Sequence, residues 1–329
     1  MRPMSMLTNL TGWLHPSTPD ATTQQAIERA IDRVDPRLRV VSSYQRKLAP
    51  AVSHALEYCD GLVHEIPGPI DIGIRAFGRD PLVHAFFAAP EDIGHMLGTS
   101  REVKKFFADP QNLGAADFYA LIGMRRKEKT VFGLAQQGDL IREGVPQRLL
   151  YFADHTLREL SAAPDVTRSG LRESSFESLA GSFAAHLDVL RHEKTDMHFA
   201  WEQERAFART KAAHAVAEAD APEHRRFELE AGLREMVATL EPAHVLSALA
   251  AWLADPAPRL HLISTTVAVD RLGVLSKPVA DDPGVQTLNF PELVGRDRRR
   301  WIVMLTRIAR DDALRAQAAH LDTNRYLII

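Results

Sequence analysis

Apolar residues recur every three or four positions between residues 20 and about 109, the period of helices that bury one face. Asp20 stands just before "ATTQQAIERAIDRV", where its carboxylate can accept an amide hydrogen of the first turn. Ile27, Ile31 and Val34 then share one face. A second helix follows Pro36, with Val41, Tyr44, Leu48, Val52, Leu56, Cys59 and Val63 spaced three or four apart. Pro50 lacks an amide hydrogen, so it is expected to kink this helix or to begin a new turn. Beyond it the chain breaks into short pieces punctuated by Pro67, Pro69, Pro81, Pro90 and Pro110, and "IPGPIDIGIRAFG" reads as turns. Ser100 caps "REVKKFFAD", which has to stop before Pro110.

The period changes after Gly114. "ADFYALIGM" and "TVFGLA" alternate as strands do and are rich in β-branched and aromatic residues. The basic run "RRKEK" between them reads as a hairpin tip, and "QRLLYFA" (residues 147–153) is a third strand. From about residue 172 to 218 the pattern is helical again. One seam steps by four and three through Phe176, Ala180, Phe183, Leu187, Leu190, Lys194, Met197, Trp201, Glu204 and Ala208, a heptad seam interrupted by Lys194 and Glu204. At 1.5 Å per residue such a helix is a rod of roughly 70 Å. "ADAPEH" breaks it. A return helix carries Phe227, Leu229, Leu233, Met236, Val237 and Leu240, and Pro242 suits the first position of a further helix to Leu253.

Strand character returns after Pro256 and Pro258, with "RLHLISTTVAV" and "VLSKPV" flanking the turn "DRLG", then "VQTLNF" and "RWIVMLTRI". A short helix over residues 311–320 precedes the aliphatic end "NRYLII". The expected fold class is α+β, mainly helical. It comprises an N-terminal helical domain (residues 1–112), a small antiparallel β domain (113–160 plus 256–310), an inserted long antiparallel helical hairpin (161–255), and a C-terminal helix and tail (311–329). Neither strand block is large enough alone, so both are expected to share one antiparallel sheet or small barrel.

Composition changes this picture at one point. The chain has 329 residues and a net charge of −3, and nothing global marks it as a nucleic-acid or membrane protein. Yet residues 125–129 and 296–300 each hold four positive residues and one negative, +6 together, which leaves −9 for the remainder. Arg125, Arg126, Lys127, Lys129, Arg296, Arg298, Arg299 and Arg300 are therefore the candidate anion-binding residues, with Trp301 available for stacking or for the core. Alternation counts against a single binding face. Side chains along an extended Arg298–Trp301 stretch cannot all point one way, and charged strand ends also keep sheets from pairing edge to edge.

Other chemistry is sparse. Cys59 is the single cysteine, on the apolar stripe of its helix, where a buried structural thiol is expected. One cysteine and no apolar stretch longer than "VLSALAAWLA" point to a cytoplasmic protein without a membrane span. The N-terminus, "MRPMSMLTNLTGWL", reads poorly as a signal peptide. Asp188, His192 and Asp196 form an i, i+4, i+8 stripe that could ligate a metal, but it lies away from the apolar seam. Glu241 and His244 match one half of a di-metal pattern without a second copy. Asp154 and His155, at the end of a strand, would point to opposite faces. Phosphate-binding glycine motifs are absent. No cofactor, metal or catalytic residue is assigned. The primary expectation is a non-enzymatic interaction or scaffold protein that associates with itself or a protein partner through the helical hairpin; the two chain ends could dock elsewhere, but packing on their own domain is the commoner fate of such segments. Binding of nucleic acid or another polyanion through two basic β-hairpins is the alternative. An enzyme whose site draws on dispersed residues, such as the 14 histidines, is the third.

Overall fold

The computed structural model describes residues 20–137, 140–213, 221–276 and 284–326. The segment before Asp20, residues 214–220 and the end of "VLSKPV" lie outside them, and of the expected break "ADAPEH" the described part, "APEH", is already helical. Asp20 accepts the Thr23 amide hydrogen at 3.0 Å and opens α1 (Ala21–Val34), whose Ile27 and Ile31 are fully buried. A 3-10 turn, Pro36–Val40, leads to α2 (Tyr44–His64), which carries Pro50 inside it without ending. The short pieces that follow are β1 (Ile70–Ile72), α3 (Ile74–Phe77), α4 (Pro81–Phe86), α5 (Pro90–Thr99) and α6 (Arg101–Ala108), the last capped by Ser100. The segment read as turns thus contains a strand, β1, because its three residues lie parallel to a longer strand that supplies the ladder bonds.

Next come β2 (Asp117–Gln137), β3 (Leu140–Ser161) and the 50-residue α7 (Pro164–Ala213). They are followed by α8 (Ala221–Thr239), α9 (Pro242–Ala254), β4 (Leu260–Asp270), β5 (Leu275–Ser276), β6 (Val285–Gly295), β7 (Arg300–Ala309) and α10 (Arg310–Tyr326). No single described helix is long and apolar enough to cross a membrane. The fold is α+β and mainly helical, with both strand blocks in one sheet and the long helix α7 between them in sequence.

One strand expectation is overturned. "RRKEK" is not a hairpin tip: it lies within β2, which pairs with β3 from Tyr119↔Ser161 to Gln137↔Leu140. Side chains alternate between the two faces of β2, where carboxylates of other strands or water receive each charge while the backbone keeps its ladder, so the charge run need not end the strand. "QRLLYFA" is strand, as expected, and forms the middle of β3, while "ADFYALIGM" and "TVFGLA" belong to the one strand β2.

The chain divides into two compact units, one of residues up to Leu56 with Glu177–Asp255, the other of Glu57–Phe176 with Pro256–Ile329. In the first, α1, α7 and α9 bury Ala30, Ile31, Phe183, Leu187, Leu246 and Leu249. Trp252 packs edge-on to Phe183 with ring centroids 5.5 Å apart and donates from Nε1 to Ser182 Oγ at 3.2 Å. Toward its C-terminal end α7 pairs with α8. A Cβ on Gly232 would lie 2.8 Å from the Met197 sulfur, and Arg225 reaches Glu204 at 3.4 Å, so the two helices run antiparallel. The seam keeps its period but not its burial: Leu187 is the last fully buried position, and Leu190, Lys194, Met197, Trp201, Glu204 and Ala208 are half-buried.

In the second unit the strand order is β3-β2-β7-β6-β4-β5, antiparallel throughout, with β1 added parallel to β7. The Leu149↔Val274 bridge and the Leu150 N–H to Gly273 carbonyl bond at 2.8 Å join the two ends of this order. On one face β2, β6 and β7 supply Phe118, Ile122, Phe290, Ile302 and Met304 to a core shared with α4, α5, α6 and α10. Phe86 enters it from α4, with ring centroids 5.2 Å from Phe152 and 6.5 Å from Phe290. On the other face Leu305 and Leu121 meet Val63 and Leu171. Truncating Phe86 to Ala empties the junction of helix and sheet. The variant is expected to lose about 3–5 kcal/mol in urea denaturation, with the α4 amides losing hydrogen-exchange protection first.

Candidate functional site

Strand register decides where the two basic runs meet. β2 pairs with β7 as far as Met124↔Ile302, and β6 pairs with β7 as far as Val294↔Arg300. The first run therefore starts one residue beyond the last β2–β7 pair, and the second is the β6–β7 turn at the same end of the sheet. That turn is the hairpin its sequence suggests. Arg298 sits at φ 57° and donates its amide hydrogen to the Gly295 carbonyl at 3.0 Å, while Asp297 accepts the Arg299 amide at 3.0 Å and pairs with its guanidinium at 3.1 Å.

Alternation along β2 sends the first run to both faces. On one, Arg126 donates to Glu292 at 3.4 Å and to Glu128 at 3.1 Å. Arg300, from the second run, donates to the other oxygen of Glu292 at 3.1 Å. The Glu292 side chain is 3% exposed, so a carboxylate nearly out of water takes one arginine from each run. Arg148 on β3 extends the chain of charges through Glu128. On the other face Arg125 and Lys127 approach Asp154 at 3.8 and 3.3 Å, and the Arg125 guanidinium lies 5.8 Å from the centre of the Trp301 ring. Trp301 is half-buried, so it is neither a free stacking platform nor a wholly buried core residue. Among the described residues, Lys129 and Arg298 have no carboxylate within 4 Å.

The structure thus brings Arg126 and Arg300 together on Glu292, keeps Arg125 and Lys127 on the opposite face beside Asp154, places Lys129 further along β2, and leaves Arg296, Arg298 and Arg299 in the turn. Sequence reading missed Glu292 and Arg148. Glu292 left a signal: in "LNFPELVG" it takes the parity of Leu288 and Phe290, an acid at an inward position beside a basic turn. Among the described residues β2 has only β3 beside it past Met124, and beyond the Leu149–Val274 bridge about 3.3 Å per residue gives roughly 26 Å of two-stranded ribbon. Phe132 and Leu134, on one side of it, are 77% and 63% exposed.

The remaining candidates have structural surroundings. Asp154 and His155 are within β3, not at its end; Asp154 takes φ 59° where the register with β2 shifts. His155 stacks on Phe87 at 4.5 Å, and its Nε2 lies 2.8 Å from the Phe86 carbonyl oxygen. A carbonyl only accepts, so Nε2 carries the proton. His192 Nδ1 is used by the Asp188 carbonyl, and among the described residues no three His, Cys, Asp or Glu side chains converge as metal ligands. Glu241 precedes α9, and His244 Nδ1 lies 2.7 Å from the Ala238 carbonyl oxygen. Cys59 is buried, and loss of hydration pushes its thiol up to about 12, far from thiolate chemistry. A cleft of about 960 Å³ holds the forked Arg307–Asp71 pair (2.6 and 2.8 Å) beside Arg75, Arg79 and Asp117. Comparison with protein-family models, curated proteins and solved structures finds no match to this chain.

Burial lowers the His155 pKa below its ordinary 6.5, so the folded chain binds this proton less readily than the unfolded chain does. The stability it contributes is full above pH 6.5 and is lost as pH falls below that value. Urea midpoints between pH 8 and 5 are expected to fall more steeply for the parent than for His155→Gln.

Proposed function

We propose that this chain binds duplex nucleic acid through the basic end of its sheet. The observation that carries the reading is the meeting of the two runs on opposite sides of Glu292. Cations outnumber carboxylates in this cluster. Several of its pairs are exposed and long, such as Arg125–Asp154 at 3.8 Å, and a phosphate can replace such a carboxylate at little cost. Glu292 fixes Arg126 and Arg300 relative to each other, which lowers the ordering cost of a second anion. A two-stranded ribbon of the kind β2 and β3 form has the width of a DNA groove. Contacts of this type are to phosphates and predict affinity without base preference.

Fluorescence anisotropy with a labelled random duplex tests the reading. Binding is expected at about 50 mM salt, with affinity falling on a log–log salt plot by about 0.9 per phosphate neutralised. The double variant Lys129→Ala/Arg298→Ala, which touches no ion pair among the described residues, is expected to reduce that slope by about 2. Absence of binding at low salt, or an unchanged slope, contradicts the reading.

A second reading concerns the α7–α8 hairpin, where Phe199 and Phe227 are 61% and 66% exposed beside a half-buried seam. Such apolar surface fits self-association into an intermolecular bundle. Light scattering after size exclusion is expected to give a dimer or larger, and Phe199→Glu/Phe227→Glu is expected to give a monomer; a strict monomer for the parent at micromolar concentration removes this reading.

A further inference from the structure

A cleft of about 580 Å³ lies wholly within the helical unit, between the 3-10 turn after α1, the middle of α7 and the α8–α9 junction. One wall is cationic and the other apolar. The cationic wall begins with Asp35, whose side chain is only 9% exposed. Asp35 accepts the Arg37 amide at 3.0 Å and the Arg37 guanidinium through Nε at 3.1 Å and Nη2 at 2.8 Å. Arg191, from α7, donates Nη2 to the same carboxylate and Nη1 to Asp188 at 3.2 Å. Arg37 holds the Asp35 carboxyl below the usual carboxylate range. One low-exposure carboxylate therefore fixes two guanidiniums, and Asp188 balances the second of them.

Lys194 follows Arg191 by three residues on α7 and also lines the cleft; among the described residues it has no carboxylate within 4 Å. Arg37 Nη1 and Lys194 Nζ have hydrogens not committed to Asp35. Thr195, between them and His198, has its hydroxyl hydrogen directed to the Arg191 carbonyl at 2.9 Å. The polar wall thus offers donors and positive charge, the requirements of an oxyanion. Glu241 also lines the cleft, and its carboxylate is 3.9 Å from His244. Opposite stand Val237, 48% exposed, with Leu240 and Pro242. These side chains leave apolar surface in water that a ligand's hydrocarbon part would cover.

We infer that this cleft binds a small organic oxyanion, a carboxylate or phosphate monoester carrying a short apolar chain. The volume lies in the range of small-molecule sites. The polar wall sets the head group, and the apolar wall rejects the bare ion. This site is separate from the sheet cluster and stands whether or not the chain binds nucleic acid.

Isothermal titration of the full chain with octyl phosphate, octanoate, octanol and inorganic phosphate, each below its micelle concentration, tests the inference. Saturable binding of octyl phosphate or octanoate is expected, at least about tenfold tighter than octanol, as a charge-assisted contact requires. The tighter of the two names the head group. Lys194→Ala is expected to weaken it about tenfold with the circular dichroism unchanged. Val237→Ser, at a half-exposed position, is expected to weaken the amphiphile and leave inorganic phosphate unaffected. No saturable binding of either amphiphile, undiminished binding by folded Lys194→Ala, or inorganic phosphate binding as tightly as octyl phosphate would overturn the inference.

Discussion

Glu292 is a carboxylate almost removed from water, and everything at the basic end of the sheet is arranged around it. Taking such a group out of water costs several kcal/mol unless charged donors replace the lost hydration. Its own strand cannot supply them, because its ladder neighbours are Ile263 on β4 and Ile302 on β7. The donors come from β2 and from the first residue of β7. Two runs separated by more than 160 residues are therefore held at one place by an anion that belongs to neither.

The same sheet separates a rigid part from an extended one. β7 lies at its centre with Ile302 to Thr306 all buried, covered by helices on one face and by Val63 and Leu171 on the other. Phe86, Phe152 and Phe290 fill its interior, with the second and third rings 5.6 Å apart and edge-on. His155 ties the end of α4 to β3 through a neutral imidazole. Beyond Met124 β2 leaves β7, Phe152 and Leu150 of β3 still reach the core, and past the Leu149–Val274 bridge β2 and β3 continue as a pair. The exposed Phe132 and Leu134 lie in that last stretch.

Asp35 does in the helical unit what Glu292 does in the sheet. Each is a low-exposure carboxylate that gathers two arginines from separate elements. In both places the acid sets the geometry and the arginines present the chemistry.

Local physics made much of this legible. Asp20 and Ser100 announce their helices because a cap is a contact within three residues, and Pro242 opens α9 because its missing amide hydrogen has no role there. The heptad seam of α7 follows from the 3.6-residue period alone. What burial that seam receives did not follow, since Leu187 and Met197 hold equivalent positions and differ only in what packs on them. "RRKEK" misled because charge density usually marks a turn, whereas here carboxylates of other strands or water receive the charges on both faces of β2. Sequence by itself determined the elements, the apolar faces and the existence of two basic runs. Only the tertiary structure decided that the runs converge, that Glu292 rather than solvent answers them, and that Arg37, Arg191 and Lys194 border one cleft. Each of those is a pairing between residues far apart in the chain, set by strand register and helix packing, for which no local periodicity carries a signal.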